Sequence, residues 1–208
     1  MAMPRLLIVS LSLAAAVGFA AEPGSLPVGS NGQPLNLDFE TGDLRDWTAK
    51  GDAFKNQPVK GDAVSKRRKD MKSAHQGEYW IGTFDGGGQD PAQGTLVSAP
   101  FKVTQPWASF LIAAGPYEAT RVELVRKDNN AVVFKTSGHD GAAFERVNNA
   151  TETLTPVVVD LSAVRGQEIF IRLIDQHTGH WGHLNFDNFR LHAAKPVFAQ
   201  AAVWQIST

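Results

Sequence analysis

Short apolar runs separated by turn residues dominate the chain between residues 101 and 191. The runs are rich in β-branched and aromatic side chains, and each is bounded by Gly, Pro, Asn or Asp. In one of them Ile169, Ile171 and Leu173 occupy alternate positions, which places them on one face of a strand. The pattern predicts β-strands at residues 101–103, 107–112, 122–126, 131–136, 156–160, 168–175 and 183–191.

The connections between these runs have the composition of turns rather than of helices. Residues 128–130, Asp-Asn-Asn, are predicted to form the tip of a hairpin between two of the strands. One helical turn is expected, at residues 161–164, where Gly166 closes it. Strands at this spacing without long helices between them indicate an all-β fold, an antiparallel β-sandwich or jelly roll.

The N-terminal segment has the pattern of a secretory signal peptide. A positive charge within residues 1–5 precedes an uncharged apolar run at residues 6–19. Small residues at Gly18 and Ala20 mark the end of this segment, where a signal peptidase would cut. The apolar run is too short for a transmembrane helix. We therefore expect residues 1–20 to be cleaved, which predicts an exported protein in the periplasm, at the cell surface or outside the cell.

The rest of the chain divides into three predicted parts. Residues 21–34 are rich in Gly, Pro, Ser and Asn and are interpreted as a linker. The sandwich is predicted to span residues 35–195. Residues 196–208 form a C-terminal extension, which either packs as an extra strand or frays at the end of the chain.

Composition narrows the classes of function. The chain has 208 residues, a formal net charge of -1 and no cysteine. A nearly neutral chain has no overall field to attract nucleic acid or an acidic membrane. The lack of cysteine excludes disulfide scaffolds, thiolate metal sites and cysteine nucleophiles. A basic stretch at residues 60–72, with Lys-Arg-Arg-Lys at 66–69 as its centre, is interpreted either as a solvated surface loop or as a cationic rim for an acidic glycan or phosphate.

Five sequence pieces in order resemble one known pattern. They are LDFETGDLRDW at 37–47, GDAF at 51–54, GEYWIGTF at 77–84, GTLVS at 94–98 and WGHLNFDNF at 181–189. The pattern resembles a galactose-binding-like β-sandwich, as in accessory modules of fructan-cleaving glycosidases and in planctomycete-type exported proteins that also carry cytochrome-like domains. Haem-attachment motifs and the acidic motifs of a glycosidase are absent from this sequence. The resemblance thus implies the accessory domain alone.

Two functions from different classes remain open at this stage. The resemblance implies an exported, non-catalytic carbohydrate-binding module, whose partner is a fructan or another plant or algal glycan. The alternative is an adhesion or assembly domain that binds a protein of the cell envelope, because one fold hosts many functions. A third reading is a jelly-roll polysaccharide lyase that would assemble Tyr79, Arg121 and His183 as base and charge neutraliser.

The resemblance also implies a structural calcium ion between the first and last strands. The matching ligands here are Glu40 and Asp187, with backbone carbonyls of the loop 41–46. Asp38 and Asp43 are secondary candidates. Calcium prefers several oxygen ligands, which this set can provide. The alternative is that both carboxylates only accept backbone hydrogen bonds and bind no metal.

Candidate ligand-binding residues come from the ends of the motifs. Trp47 and Trp107 lie inside strand patterns and are expected in the core, whereas Trp80 and Trp181 lie beside Gly and loop residues, where an indole can stack on a sugar ring. The hydroxyl groups of a sugar also need polar partners. The predicted ligand-binding set is Asp52, Trp80, Arg121, Asp175, His177, Trp181 and His183.

Residues 177–183 contain three of the six histidines, His177, His180 and His183. This spacing leaves open a transition-metal site, a polar loop that faces a ligand and a plain surface loop. On an extended chain His180 faces away from the other two, so a metal site would require a tight turn.

Overall fold

A computed structural model describes residues 24–137, 151–198 and 202–205, the last group and Gly87 and Gly88 by backbone alone. The predicted signal peptide lies outside the described residues. Two sheets pack face to face, and nearly all of their strand pairs are antiparallel. The predicted all-β sandwich is therefore confirmed. None of the described helices is long and apolar enough to cross a membrane.

The strands fall where the apolar runs predict them, with additional strands before residue 100. In chain order they are β1 (Trp47–Gly51), β2 (Val59–Lys60), β3 (Tyr79–Gly82), β4 (Gly94–Ser98), β5 (Phe101–Lys102), β6 (Trp107–Ala114), β7 (Thr120–Arg126), β8 (Val132–Thr136), β9 (Thr155–Asp160), β10 (Glu168–Asp175), β11 (Leu184–His192) and β12 (Ala202–Gln205). One sheet has the order β1-β4-β10-β7-β8, with β5 beside β10, and the other has the order β12-β9-β6-β11-β3-β2.

The main core lies between the two sheets. Ile169, Ile171 and Leu173 of β10 are fully buried in it, as their alternation predicts. Phe110 and Ile112 of β6 belong to the same buried cluster. Burial of a side chain of this size stabilises the fold by about 1.5–3 kcal/mol. The predicted helical turn is present as a 3-10 helix at Ser162–Val164.

A second, smaller apolar cluster covers the outer face of the sheet that contains β3 and β6. It includes Val64 from the helix α1 (Ala63–Arg67), Trp80 of β3 and Leu111 of β6. Sequence patterns do not predict α1, which lies in the basic stretch interpreted as a surface loop. The helix has five residues, of which only Val64 is buried, so it is too short to show helical periodicity. The Asp62 side chain caps it by accepting a hydrogen bond from Ser65 N at 3.0 Å.

Both ends of the described chain pair with the sandwich. Ser25 exchanges two backbone hydrogen bonds of 2.8 Å with Leu191 of β11. The described part of the predicted linker is therefore attached to the fold rather than free of it. At the other end, β12 pairs in parallel with β9, so an extra strand forms within the predicted C-terminal extension.

Four loops emerge at one end of the sandwich, and we call this end the loop rim. Strand register places Gly94, Thr120 and Asp175 side by side at the end of one sheet. The other sheet ends at the same place, because Thr83, which follows β3, lies close enough to Asp175 at the end of β10 to act on its carboxyl. The rim loops are residues 52–58, 83–93, 115–119 and 176–183.

Candidate functional site

The loop rim presents the half-buried indole of Trp181. Its backbone lies in the left-handed region, with φ at 63°, and its N–H donates to Asp90 Oδ2 at 3.2 Å. The indole stacks on His183 with 5.4 Å between ring centroids. The guanidinium carbon of Arg68 lies 5.3 Å from the centroid of the indole. The ring at the surface thus contacts both an imidazole and a cation.

His183 lies directly beneath this indole and is almost completely buried. The Asp90 carboxylate accepts a hydrogen bond from Nδ1 of His183 at 2.7 Å. Phe84 packs against the imidazole with 5.2 Å between ring centroids. In a neutral imidazole whose Nδ1 donates, Nε2 is an acceptor, and this atom has no hydrogen-bond partner within the described part of the chain.

Asp175 ends β10 at the rim with its side chain turned between the sheets. Its exposed fraction is 0%, and neither carboxylate oxygen has a hydrogen-bond partner of normal geometry among the residues that the structure describes. Burial raises the pKa of this carboxyl to about 7, and the charge of Asp90 raises it further. The nearby Thr83 hydroxyl, which also exchanges hydrogen bonds with the backbone of Leu184, opposes the rise. An unpaired buried polar group costs about 1–3 kcal/mol, so this cluster has unused hydrogen-bonding capacity.

His177 and His180 lie on the rim away from His183. The His177 ring stacks on Tyr117 with 3.5 Å between centroids, and Tyr117 Oη donates to His180 O at 3.1 Å. Within residues 24–137 and 151–198, no group of three or more His, Asp or Glu side chains could hold a metal ion. The transition-metal reading therefore has no support in the described structure.

Two other predicted residues lie at the rim end but face elsewhere. Arg121 pairs with Ile174 across the strands, on the sheet face opposite to Asp175. Its Nε donates to Oε1 of the buried Glu123 at 2.6 Å. Nε of Arg172 donates to Oε2 of the same carboxylate. Asp52 is exposed on the first rim loop and forms an ion pair with Lys55 at 2.8 Å. Neither residue contacts the Trp181 cluster.

The prediction that Trp80 stacks on a sugar is wrong. Its exposed fraction is 0%, it packs in the second apolar cluster, and its Nε1 donates to Gly61 O at 2.9 Å. Gly82, two residues later, suggested a loop. The indole is instead buried in the same apolar cluster as Val64 of α1. The lyase set is likewise not assembled, because Tyr79 packs against the main core whereas Arg121 and His183 bind different carboxylates.

The candidate calcium ligands meet at the turn before β3. Asp187 is fully buried, with Oδ2 accepting a hydrogen bond from Gln76 N at 2.8 Å, whereas Oδ1 has no hydrogen-bond partner among the described residues. Burial raises its pKa to about 8, two backbone hydrogen bonds oppose the rise, and the charges of Glu40 and Asp38 add to it. The Glu40 carboxylate accepts hydrogen bonds of 3.0 Å from Glu78 N and Tyr79 N. The orphaned Oδ1 of Asp187 is a hard oxygen that a cation could bind, but Glu40, Asp38 and Asp187 do not form a group of three carboxylates arranged around one metal position in the described structure.

The two secondary metal candidates are engaged with arginines. Asp38 Oδ2 accepts from Arg190 at 2.7 Å. Asp43 forms a bidentate, solvent-exposed pair with Arg45. Asp38 still contributes its charge near Asp187, whereas nothing connects Asp43 with that carboxylate.

The basic stretch is more structured than its composition suggests. Arg67 binds the buried carboxylate of Glu152 through both terminal nitrogens and also pairs with Asp85. Its guanidinium carbon lies 4.3 Å from the centroid of the Phe84 ring. The next residue, Arg68, lies beside Trp181. Sequence reasoning missed the roles of Phe84, Asp90 and Arg68, because they lie in irregular segments without apolar periodicity.

Comparison with known proteins gives partial similarities. No model of a known protein family matches the sequence. The chain is 28% identical over 174 residues, or 81% of its length, to a putative glycosyl hydrolase, ecdE, of Aspergillus rugulosus. It spans only 22% of the length of that protein.

Similar solved structures are β-rich domains of low sequence identity. The carbohydrate-binding module TmCBM61 in complex with β-1,4-galactotriose is 18% identical, with a TM-score of 0.45 over 75% of this chain and 94% of that one. The K1 cleaved adhesin domain of Lys-gingipain from Porphyromonas gingivalis is 15% identical, with a TM-score of 0.40 over 76% and 96%. A cyclase from Fischerella sp. TAU is 16% identical, with a TM-score of 0.44 over 84% and 98%. These similarities concern the fold alone.

Proposed function

We propose that this chain is an exported, non-catalytic carbohydrate-binding module that binds a glycan at the loop rim. The observation that carries the proposal is the combination of the half-buried Trp181 indole with unpartnered polar atoms of Asp175 and His183 at the same rim. A sugar ring has an apolar C–H face and a set of hydroxyl groups, so it needs both kinds of partner. Because these polar atoms are buried, sugar hydroxyl groups would reach them only through bridging water.

The strength of binding follows from the small size of this site. One indole contacts one sugar unit, and each hydrogen bond to a hydroxyl group replaces one already made with water. We therefore expect dissociation constants of about 1 μM to 1 mM. The similarity to part of a putative glycosyl hydrolase supports an accessory role beside a catalytic domain. The first glycans to test are fructans, followed by galactosides and acidic polysaccharides.

The same proposal includes a structural calcium ion bound by Glu40 and Asp187. Its support is the unpartnered, buried Oδ1 of Asp187 and the nearby carboxylate of Glu40, which backbone N–H groups orient. A bound cation would supply positive charge where carboxylates converge, and calcium accepts such oxygen ligands. The ion would join the segment before β1, which contains Glu40, to Asp187 of β11. This position lies away from the loop rim.

The decisive experiment is calorimetric titration of the purified protein with these glycans. Trp181→Ala is expected to abolish binding and to leave the melting temperature nearly unchanged. Trp107→Ala is the matched control, because Trp107 is also half-buried beneath a cation, Lys195 at 5.7 Å, but lies at the opposite end of β6. Equal losses in both variants would exclude the rim as the site. If no glycan binds and the rim instead binds a cell-envelope protein, the chain is an adhesion or assembly domain.

A further inference from the structure

Arg68 already binds a carboxylate beside the rim indole. Its Nε lies 3.1 Å from Asp70 Oδ1 and its Nη2 lies 2.8 Å from Asp70 Oδ2, which is a two-pronged geometry. The guanidinium carbon of the same residue lies 5.3 Å from the centroid of the Trp181 ring. A planar carboxylate and an aromatic surface are thus both within reach of one guanidinium.

The Arg68–Asp70 pair can exchange its carboxylate. The Asp70 side chain is 62% exposed, whereas that of Arg68 is 28% exposed. Ion pairs with one partner in open solvent contribute little to stability, so replacement of Asp70 by another carboxylate changes the stability of the fold little. Arg68 itself is kept in place by the indole and by Glu152, whose Oε1 lies 3.7 Å from its Nη1.

The surroundings of this pair attract anions. Residues 60–72 contain six cationic and two acidic side chains, although the whole chain has a net charge of -1. Lys66, Lys69 and Lys72 are exposed and have no ion pair among residues 24–137 and 151–198. Such a cluster raises the local concentration of a polyanion at low ionic strength.

We propose that the rim selects acidic glycans, in which a uronate ring packs on Trp181 and its carboxylate replaces Asp70 on Arg68. This inference rests on the proposed carbohydrate-binding function and adds the class of sugar. In the free protein Asp70 occupies the position of the ligand carboxylate and competes with it. A fork-shaped guanidinium distinguishes a planar carboxylate from other anions, which a lysine ammonium does not do.

The test compares affinities for polygalacturonate with those for a neutral glycan of the same length. Asp70→Asn removes the competitor, so it is expected to bind polygalacturonate about three- to fivefold more tightly. Arg68→Gln is expected to bind it about tenfold or more weakly. Arg68→Lys keeps the charge but loses the fork, and we expect it to resemble Arg68→Gln. Neutral-glycan affinity should change little in Asp70→Asn.

A matched pair of residues provides the control. Arg126 and Asp128 form the same bidentate arrangement two residues apart, at the opposite end of β7. Asp128→Asn and Arg126→Gln are expected to leave polygalacturonate affinity unchanged. If these variants shift affinity as much as those at Arg68 and Asp70, the effect is one of net charge and the inference is wrong.

The remaining outcomes separate the inference from the function on which it rests. Binding of neutral glycans at Trp181 without a preference for uronate would overturn the inference and leave the carbohydrate-binding function intact. Equal affinity for a sulfated polysaccharide of matched charge density would overturn the carboxylate assignment. Failure of every glycan to bind would overturn both.

Discussion

The carboxylate of Asp90 lies 2.7 Å from Nδ1 of His183, and the two residues are 93 positions apart in the chain. The other oxygen of Asp90 accepts the backbone N–H of Trp181 at 3.2 Å. The side chain of Asp90, in the loop 83–93, therefore holds both the imidazole of His183 and the backbone of Trp181. This arrangement makes Asp90 a positioning residue for the proposed glycan site.

Asp90→Ala is expected to weaken glycan binding and to lower the free energy of unfolding by about 1–2 kcal/mol, because it leaves His183 without its buried partner. The measurements are calorimetric titration and urea unfolding. Asp52→Ala is the control, since Asp52 lies on a neighbouring rim loop but pairs only with exposed Lys55. Unchanged affinity in Asp90→Ala would show that the imidazole and indole do not need this support.

Stability should depend on pH through Asp175. Its folded pKa is about 7, against a reference value of 3.8. Between about pH 4 and pH 7 the unfolded state therefore loses this proton first, so stability falls as pH rises through that window, by up to about 4 kcal/mol. The neighbouring titratable groups are Asp90 and His183. Urea unfolding from pH 4 to pH 8 measures the slope.

Asp175→Asn removes this titrating group and should reduce the pH dependence while increasing stability at neutral pH. The slope that remains comes from Asp187, whose buried carboxyl also has a raised pKa, of about 8. Asp52→Asn, on an exposed carboxylate of the same rim, should retain the wild-type slope. A wild-type slope in Asp175→Asn would mean that Asp175 is ionised and paired in the folded protein.

Calcium removal tests the proposed ion. A chelator is expected to lower the melting temperature, because an ion bound only by the folded state stabilises it by about 2.7 kcal/mol at a hundredfold excess over its dissociation constant. Glu40→Ala and Asp187→Asn should each abolish the difference between chelator and calcium. Asp43→Asn is the control, since Asp43 pairs with exposed Arg45. Identical melting of the wild type in both conditions would show that these carboxylates only accept hydrogen bonds.

The ion pair between Arg67 and Glu152 should stabilise the packing of α1 on the second apolar cluster. Glu152 is buried, so Arg67→Gln leaves a charge without its main partner, and we expect a loss of about 2–3 kcal/mol, reduced by the partial exposure of Arg67. Arg45→Gln breaks an exposed pair and should cost less than about 1 kcal/mol. Thermal or urea unfolding compares the two. A loss of unfolding free energy in Arg67→Gln as small as that in Arg45→Gln would mean that water solvates the Glu152 carboxylate when Arg67 is removed.

Local sequence patterns determined where the strands and turns between residues 101 and 191 lie, whereas the strands before residue 100 were not predicted from them. The alternation of Ile169, Ile171 and Leu173 predicted the buried face of β10, because each strand side chain points to the face opposite its neighbour. The turn after β7 was also predictable, since Asn130 tolerates its φ of 57° better than most residues. Such features depend on residues close together in the chain.

The tertiary structure alone decided which polar and aromatic residues meet. Trp80 and Trp181 both lie near glycines in the sequence, yet packing beneath α1 buries the first and the rim leaves the second half-exposed. Arg67 and Glu152 are 85 positions apart, and no pattern within either segment indicates their pairing. Such contacts form only after the sheets set the positions of the irregular loops. Apolar periodicity therefore encodes the faces of the strands, whereas the register of distant strands determines the candidate site.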